Sequence, residues 1–275
     1  MGEALARDGA APAPGADVDM TAADPAAIRR AIETVGYAVV PGLVSPSAIS
    51  EMRAFWLAEF GRPRALTPIV WGPYLGEPNG VIFDRRQSHC LYRSFDYLWN
   101  PPFHPRTRST GLALNRLRNA IVGNEERCGE LLQADRYGIY VTTSYYPPGD
   151  GWLWQHRDEM SDREHWHYLV PLTFRGTHFS AGGLFLNDRA GRRVDVEPLF
   201  SPGSVIFYDG TLPHGVERIV STQEPPVGRL QMFAIPVVFE RPQGADRLIQ
   251  SIPLARFARV KLSALKRRLR GGGSS

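Results

Sequence analysis

The chain has 275 residues, of which 43% are hydrophobic and 22% charged, with a formal net charge of +4. This is the composition of a globular protein with enough chain for one large core. It excludes a disulfide-stapled scaffold, because Cys90 and Cys128 are the only cysteines and lack zinc-type spacing. No apolar run approaches the roughly 20 residues of a helical membrane span, so none is expected.

Residues 1–23 are rich in Ala, Gly and Pro and are expected to be disordered. They lack the basic start and apolar stretch of a signal peptide, so a cytoplasmic protein with free thiols is expected. A single domain is then predicted over 24–255. Asp24-Pro25 pairs a side-chain cap with a residue suited to the first helical turn, and Ile28, Ala31, Ile32 and Val35 supply an apolar face. A helix is therefore predicted up to Gly36. Tyr37–Val40 reads as a short strand, and Ser45-Pro46 opens a second helix to about Phe60 by the same cap logic. Residues 62–105 are rich in Pro, Gly and aromatics, with little periodicity; they read as an irregular segment that covers a site. Helix is predicted again over 107–133.

From Tyr137 the pattern changes. Short β-branched and aromatic runs alternate with turn residues: Tyr140–Tyr146, Tyr168–Phe174, Gly183–Leu186, Arg193–Val196, Ser204–Tyr208, Gly215–Ile219 and Leu230–Phe239. Such spacing predicts an antiparallel barrel or sandwich over about 137–240, giving a mainly β domain with flanking helices. The last segment, 256–275, carries seven basic residues between Arg256 and Arg270 and no acid among them. Without those seven, 25 basic face 28 acidic residues, so the body is mildly acidic. Leu254, Ala258, Leu262, Leu265 and Leu269 recur at helical spacing. The tail thus reads as a basic amphipathic helix, docked by its Leu stripe in preference to touching an anionic membrane or nucleic acid, and no nucleic-acid partner is expected.

The chemistry is concentrated in two places. His156 and Asp158 are two residues apart after a Gly-rich turn, and in extended chain such residues point to the same side. His214 follows the late strand Ser204–Tyr208 and a turn. Two histidines and one carboxylate on one face leave three positions of an octahedron open, the arrangement used by non-haem iron(II) centres. On ligand type alone, a zinc site or a metal-binding β-barrel without oxygenase activity uses the same set.

The surrounding residues narrow this. Tyr146-Pro-Pro-Gly-Asp-Gly-Trp-Leu-Trp-Gln-His156-Arg-Asp158 resembles the iron-binding segment of the prolyl-hydroxylase group of 2-oxoglutarate oxygenases. Tyr168-Leu169, Gly182-Gly183-Leu-Phe-Leu, Asp195-Val-Glu-Pro198, Gly203-Ser-Val-Ile-Phe207, Pro213-His214-Gly-Val216 and Arg229-Leu-Gln-Met-Phe-Ala-Ile are similar, in order, to that group's later core segments. Gly36-Tyr-Ala-Val-Val-Pro-Gly-Leu-Val-Ser45-Pro46 resembles the entry segment of phytanoyl-hydroxylase-like members.

The resemblance implies a double-stranded β-helix, or jelly-roll, core. It implies Fe(II) held by His156, Asp158 and His214, with 2-oxoglutarate and O2 as co-substrates and ascorbate as reductant. Arg229 is expected to bind the distal carboxylate of 2-oxoglutarate, ahead of its rival Arg218, with the insert Val220–Val227 looping out. Tyr168 is expected to add a hydroxyl to that carboxylate, and Tyr146 to reach the cofactor end near iron. Members that halogenate lack the carboxylate ligand, so Asp158 implies hydroxylation, or desaturation, ring closure or epimerisation. Trp71, Trp152, Trp154 and Trp166 are candidates to line a pocket. Gln155, Arg157, Glu159, His165 and His167 flank the ligands as candidate polar contacts, each against a purely structural reading. The expected substrate is a small molecule, and the composition resembles that of GC-rich bacteria, where such enzymes tailor natural products. A peptidyl hydroxylase and a non-catalytic metal-binding β-helix stand as alternatives.

Overall fold

The computed structural model describes residues 17–61, 80–84, 91–97, 104–130, 137–158 and 166–238. Three helices precede the main β region. In α1 (Pro25–Thr34) the Asp24 carboxylate accepts from the Ala26 N–H, and Ile28 and Ile32, one turn apart, are buried. In α2 (Pro46–Phe60) the Ser45 hydroxyl accepts from the Ala48 N–H, and Ile49, Met52, Trp56 and Phe60 form the buried stripe. The predicted third helix ends sooner than expected: α3 spans Pro105–Val122 and stops where Gly123 turns left-handed, at φ 79°. Only a residue without Cβ takes that cap cheaply, so the apolar periodicity beyond it does not extend the helix.

Eleven strands are described: β1 (Tyr37–Val40), β2 (Gly80–Asp84), β3 (Leu91–Tyr97), β4 (Tyr137–Tyr146), β5 (Leu153–His156), β6 (Trp166–Pro171), β7 (Ala181–Asn187), β8 (Arg193–Asp195), β9 (Val205–Asp209), β10 (His214–Val220) and β11 (Arg229–Val238). They form a seven-stranded sheet, β1-β9-β6-β11-β4-β3-β2, and a four-stranded sheet, β5-β10-β7-β8. Every pairing is antiparallel. From β4 onward the strands alternate between the larger and smaller sheets except at the β7–β8 hairpin, where both stay in the smaller sheet; this is the winding of a double-stranded β-helix, the expected jelly roll.

Strand alternation divides the larger sheet between two cores. Tyr168 and Val170 of β6, Val205 and Phe207 of β9, and Leu230, Met232 and Ala234 of β11 pack with the buried stripes of the three helices. Leu169, Ile206 and Tyr208 face the other way, toward Leu184, Leu186, Val216 and Ile219 of the smaller sheet. Arg229 and Gln231, out of phase with Leu230 and Met232, fall on that inner side.

Two expectations are corrected. Residues 17–23, assigned to a disordered leader, are ordered: Val18 bridges to Val44, and Asp17 accepts from Arg106 of α3 at 2.7 Å. A partner 89 residues away is invisible to composition. The segment 62–105, read as irregular, contributes β2 and β3, which extend the larger sheet beyond β4; the expected cover falls on residues outside those described, as do Cys90 and the basic tail. Cys128 is a free thiol. Among the described residues no helix is long and apolar enough to cross a membrane.

His104, which precedes α3, ties α2 to α3. Its ring stacks on Phe55 at 4.0 Å, and its Nδ1 lies 2.7 Å from the Thr107 hydroxyl, which also accepts from Trp56 Nε1. Burial, with Arg106 opposing the pull of Glu51, pushes its pKa down to about 4. Its folded pKa thus lies below its unfolded value, so the unfolded chain binds the extra proton. Stability should therefore fall as pH drops from about 6.5 to about 4, with this residue contributing on the order of 2 kcal/mol. His104→Phe keeps the stack but not the proton. Urea midpoints at pH 7 and pH 4.5 should converge in the variant relative to the unmodified protein.

Candidate metal centre

The smaller sheet aligns the two histidines. β5 and β10 pair so that His156 stands opposite His214, but Leu153 stands opposite Val216. Three steps along β5 thus match two along β10, which is a bulge. A bulge re-aims the side chains after it, so Leu153, packed in the inner core, and His156, at the centre, share a side that strict alternation would deny them. Each ring is then fixed by a carbonyl two residues back. His156 Nδ1 lies 3.0 Å from Trp154 O and His214 Nδ1 lies 2.9 Å from Leu212 O. Carbonyls only accept, so each Nδ1 carries the hydrogen and each Nε2 lone pair is left for a metal.

Asp158 lies past the end of β5, so strand alternation alone does not aim it. Its N–H donates to Gly210 O at 2.9 Å, which ties it to the turn between β9 and β10. Its carboxylate comes within 3.8 Å of His156 Nε2 and 3.5 Å of His214 Nε2. One ligand atom from each of the three residues lies within 4.8 Å of the others, a group that could hold a metal ion. Ligands at right angles around an ion at about 2.1 Å stand roughly 3 Å apart, so small movements suffice to close the set. The donor chemistry fits as well. Burial raises the Asp158 pKa, but contact with His167 and the nearby His214 and His156 outweigh it and hold the carboxyl well below the usual carboxylate range. Burial pushes His214 down to about 4 against the pull of Asp158. At neutral pH the set is one anion with a neutral, buried His214, so binding a cation displaces no proton from either.

His167, a flanking candidate in the sequence, faces inward from β6 and puts its Nε2 3.0 Å from Asp158 Oδ2. Gly210 makes this possible: a Cβ there would come within 2.2 Å of His167 Nε2 and 2.9 Å of Asp158 Oδ2.

Arg229 is fully buried in the inner core, where β11 places it opposite Tyr146 of β4. Tyr146 belongs to the same inner cluster, on the expected side of the sheet. Tyr168 does not. It is on the helix-packed face, and its hydroxyl donates to Gly111 O of α3 at 2.5 Å, which removes it from the surroundings of Arg229. The Tyr-Leu signature is right about the strand, but the inward member of the pair is Leu169. Tyr208 takes an inner place that the sequence reading missed. Its ring lies 5.4 Å from that of His214 and 5.5 Å from that of His167, and burial with the nearby Asp158 raises its phenol above the ordinary range. The alternation Ile206-Phe207-Tyr208 was the available signal.

Trp166 is buried on the helix side under Arg29 and lines no part of the centre. Trp154 is 52% exposed beside His156, edge-on to Trp152 at 6.2 Å. Gln155 is exposed, Arg157 donates to Thr211 O, and the rival Arg218 is exposed and donates to Gly149 O. Residues 221–228 loop out between β10 and β11 as expected. Trp71, Glu159 and His165 lie outside the described residues.

No protein-family model and no curated protein matches the chain by sequence. Solved structures do match in fold. EctD from S. alaskensis, solved with 2-oxoglutarate and 5-hydroxyectoine, is 18% identical with a TM-score of 0.53 over 82% of this chain and 80% of its own. A Pseudomonas putida prolyl-4-hydroxylase is 18% identical with a TM-score of 0.50 over 79% of this chain and 100% of its own. SnoN, a non-haem α-ketoglutarate-dependent epimerase from nogalamycin biosynthesis, is 13% identical with a TM-score of 0.51 over 79% and 87%.

Two substitutions test this geometry by titration with Co(II). Gly210→Ala should weaken metal binding about 10- to 100-fold by displacing His167 and Asp158. Tyr168→Phe should cost on the order of 1 kcal/mol of stability and leave metal affinity unchanged, because its hydroxyl serves α3. By its β-helix winding and these matches, the chain has the fold found in 2-oxoglutarate-dependent oxygenases of known structure.

Proposed function

We propose that the protein is an Fe(II)- and 2-oxoglutarate-dependent oxygenase acting on a small molecule. The observation that carries the reading is the centre itself: two Nε2 atoms with fixed tautomers and one carboxylate, converging inside a β-helix whose interior also holds a buried arginine. A purely structural metal site is normally closed by a fourth protein ligand. Here the described residues supply three, with His156 and Asp158 each about one-third exposed.

In this reading His156, Asp158 and His214 hold the metal, and Arg229 receives the distal carboxylate of 2-oxoglutarate with Tyr146 beside it. When bound, the metal would let O2 act as the oxidant, with 2-oxoglutarate giving up two electrons as it is converted to succinate and CO2 and the substrate giving up the other two. The chain's own contribution is positional. The carbonyls of Trp154 and Leu212 keep both imidazoles aimed, His167 backs the carboxylate, and Tyr208 packs against His167 and His214, which helps exclude water. Asp158 occupies a ligand position, which supports hydroxylation, desaturation, ring closure or epimerisation over halogenation. The small-molecule assignment is supported by the matches to EctD, solved with 5-hydroxyectoine, and to SnoN, an epimerase from nogalamycin biosynthesis. Trp154, two residues before His156, and Trp152, edge-on to Trp154, offer an aromatic surface for a substrate. A reducing cytoplasm suits the free Cys128.

Succinate production with Fe(II), 2-oxoglutarate, ascorbate and O2 tests the class, and it should vanish in His214→Ala. Under anaerobic conditions Fe(II) and 2-oxoglutarate should give a visible charge-transfer band. Arg229→Met should raise the Kd read from that band about 10- to 100-fold, the worth of a charge-assisted contact. Absence of both succinate and band would return the chain to the non-catalytic metal-binding alternative.

A further inference from the structure

The inner core holds a second charged side chain that the oxygenase reading does not use. Glu197 lies on the short 3-10 turn Glu197–Leu199 that follows β8, and it reaches across to Arg229 of the larger sheet. Arg229 Nε donates to Glu197 Oε1 at 2.5 Å, and both side chains are 0% exposed. The same Oε1 accepts the Leu184 N–H at 2.7 Å. The seat is shaped for this carboxylate. Gly183, at φ +122°, has no Cβ, and one there would come within 2.3 Å of Glu197 Cγ and 2.6 Å of its Cδ. Arg229 Nη1 in turn donates to Gln231 Oε1.

Two atoms of this cluster are left over, and they are of opposite character. Arg229 Nη2, a donor, and Glu197 Oε2, an acceptor, are both buried without a hydrogen-bond partner. Buried polar groups in folded proteins are almost always paired, so such a couple marks a place for a ligand or water. A carboxylate satisfies only half of it. It accepts from Nη2 but has no hydrogen for Oε2, and it brings a second negative charge beside Glu197. A neutral amide, hydroxyl or protonated acid accepts from one atom and donates to the other.

We propose that Glu197 sets the affinity and selectivity of the co-substrate pocket by sharing Arg229 with the co-substrate's distal group. This rests on Arg229 being the distal anchor, as proposed above. The arginine is already half compensated, so the pocket binds a distal carboxylate weakly and takes a neutral distal amide nearly as well. Glu197→Gln keeps an oxygen for Arg229 Nε and Leu184 N–H but removes the opposing charge. At a few ångströms inside a protein, that repulsion is enough for at least a tenfold change.

The test uses Mn(II)-loaded protein, calorimetry, and two non-reacting probes that differ only at the far end: N-oxalylglycine and N-oxalylglycinamide. In the unmodified protein the acid should bind no more than tenfold tighter than the amide. In Glu197→Gln the acid should gain at least tenfold and the amide should not. A preference for the acid above tenfold in the unmodified protein overturns the proposal, and so does an acid affinity that stays level or falls in Glu197→Gln. The first comparison needs no variant, so it stands even if Glu197→Gln fails to fold. Arg229→Met separates the two levels of the reading. If it weakens the acid while the unmodified protein strongly prefers the acid, the Glu197 role alone fails. If it leaves the acid unaffected, the anchor assignment fails and the Glu197 role falls with it.

Discussion

Three central strands of the larger sheet have to serve two interiors at once. β6, β9 and β11 present one row of side chains to the helices and the opposite row to the smaller sheet, because successive Cβ atoms in a strand point to opposite faces. The helix side is mostly apolar along these strands: Tyr168, Val170, Val205, Phe207, Leu230 and Met232. The other side mixes apolar residues with His167, Tyr208, Arg229 and Gln231. Slipping β11 by one residue would bury Arg229 under the helices and turn Leu230 into the centre. The packing of α1, α2 and α3 therefore has a functional consequence. By demanding the apolar row, it commits the polar row to the inner space.

The smaller sheet adds what the larger cannot. Its β5–β10 register sets two imidazoles side by side across a bulge, tilted at 52° with ring centroids 4.3 Å apart. Four histidine and aspartate side chains then crowd one spot, and the electrostatics become mutually supporting. Asp158 is held ionised by the imidazoles around it, while burial keeps His214 neutral. The Arg229–Glu197 pair joins the two sheets at a second point of the same interior. A buried ion pair is weak evidence for stability, since desolvating both charges offsets much of their attraction. Its place in the inner core, on a seat without Cβ at Gly183, is where the ligand role proposed for it needs it.

Much of this was legible from local pattern. The helix starts at Asp24-Pro25 and Ser45-Pro46 were readable because a cap is decided within three residues. The strands after Tyr137 were readable because turn residues punctuate them. What went unread needed a distant partner. Residues 17–23 are held by Val44 and Arg106, and β2 and β3 gain order by pairing in the larger sheet. Tyr168 and Tyr208 show the same limit. A motif identifies the strand, but the face a residue takes is settled by which neighbours are apolar enough to meet the helices.

The sequence by itself determined an antiparallel β region, which its family resemblance narrowed to a jelly roll, and it nominated His156, Asp158, His214 and Arg229, because residue types and their spacing are local properties. The tertiary structure decided the rest. It showed that a bulge and a loop carbonyl, not simple alternation, bring His156 and Asp158 together. It moved Tyr168 out of the centre and Tyr208 in. It also set Glu197, 32 residues away in the chain, against Arg229. Contacts of that kind form only when two sheets close on one another, and no spacing within a single segment encodes them.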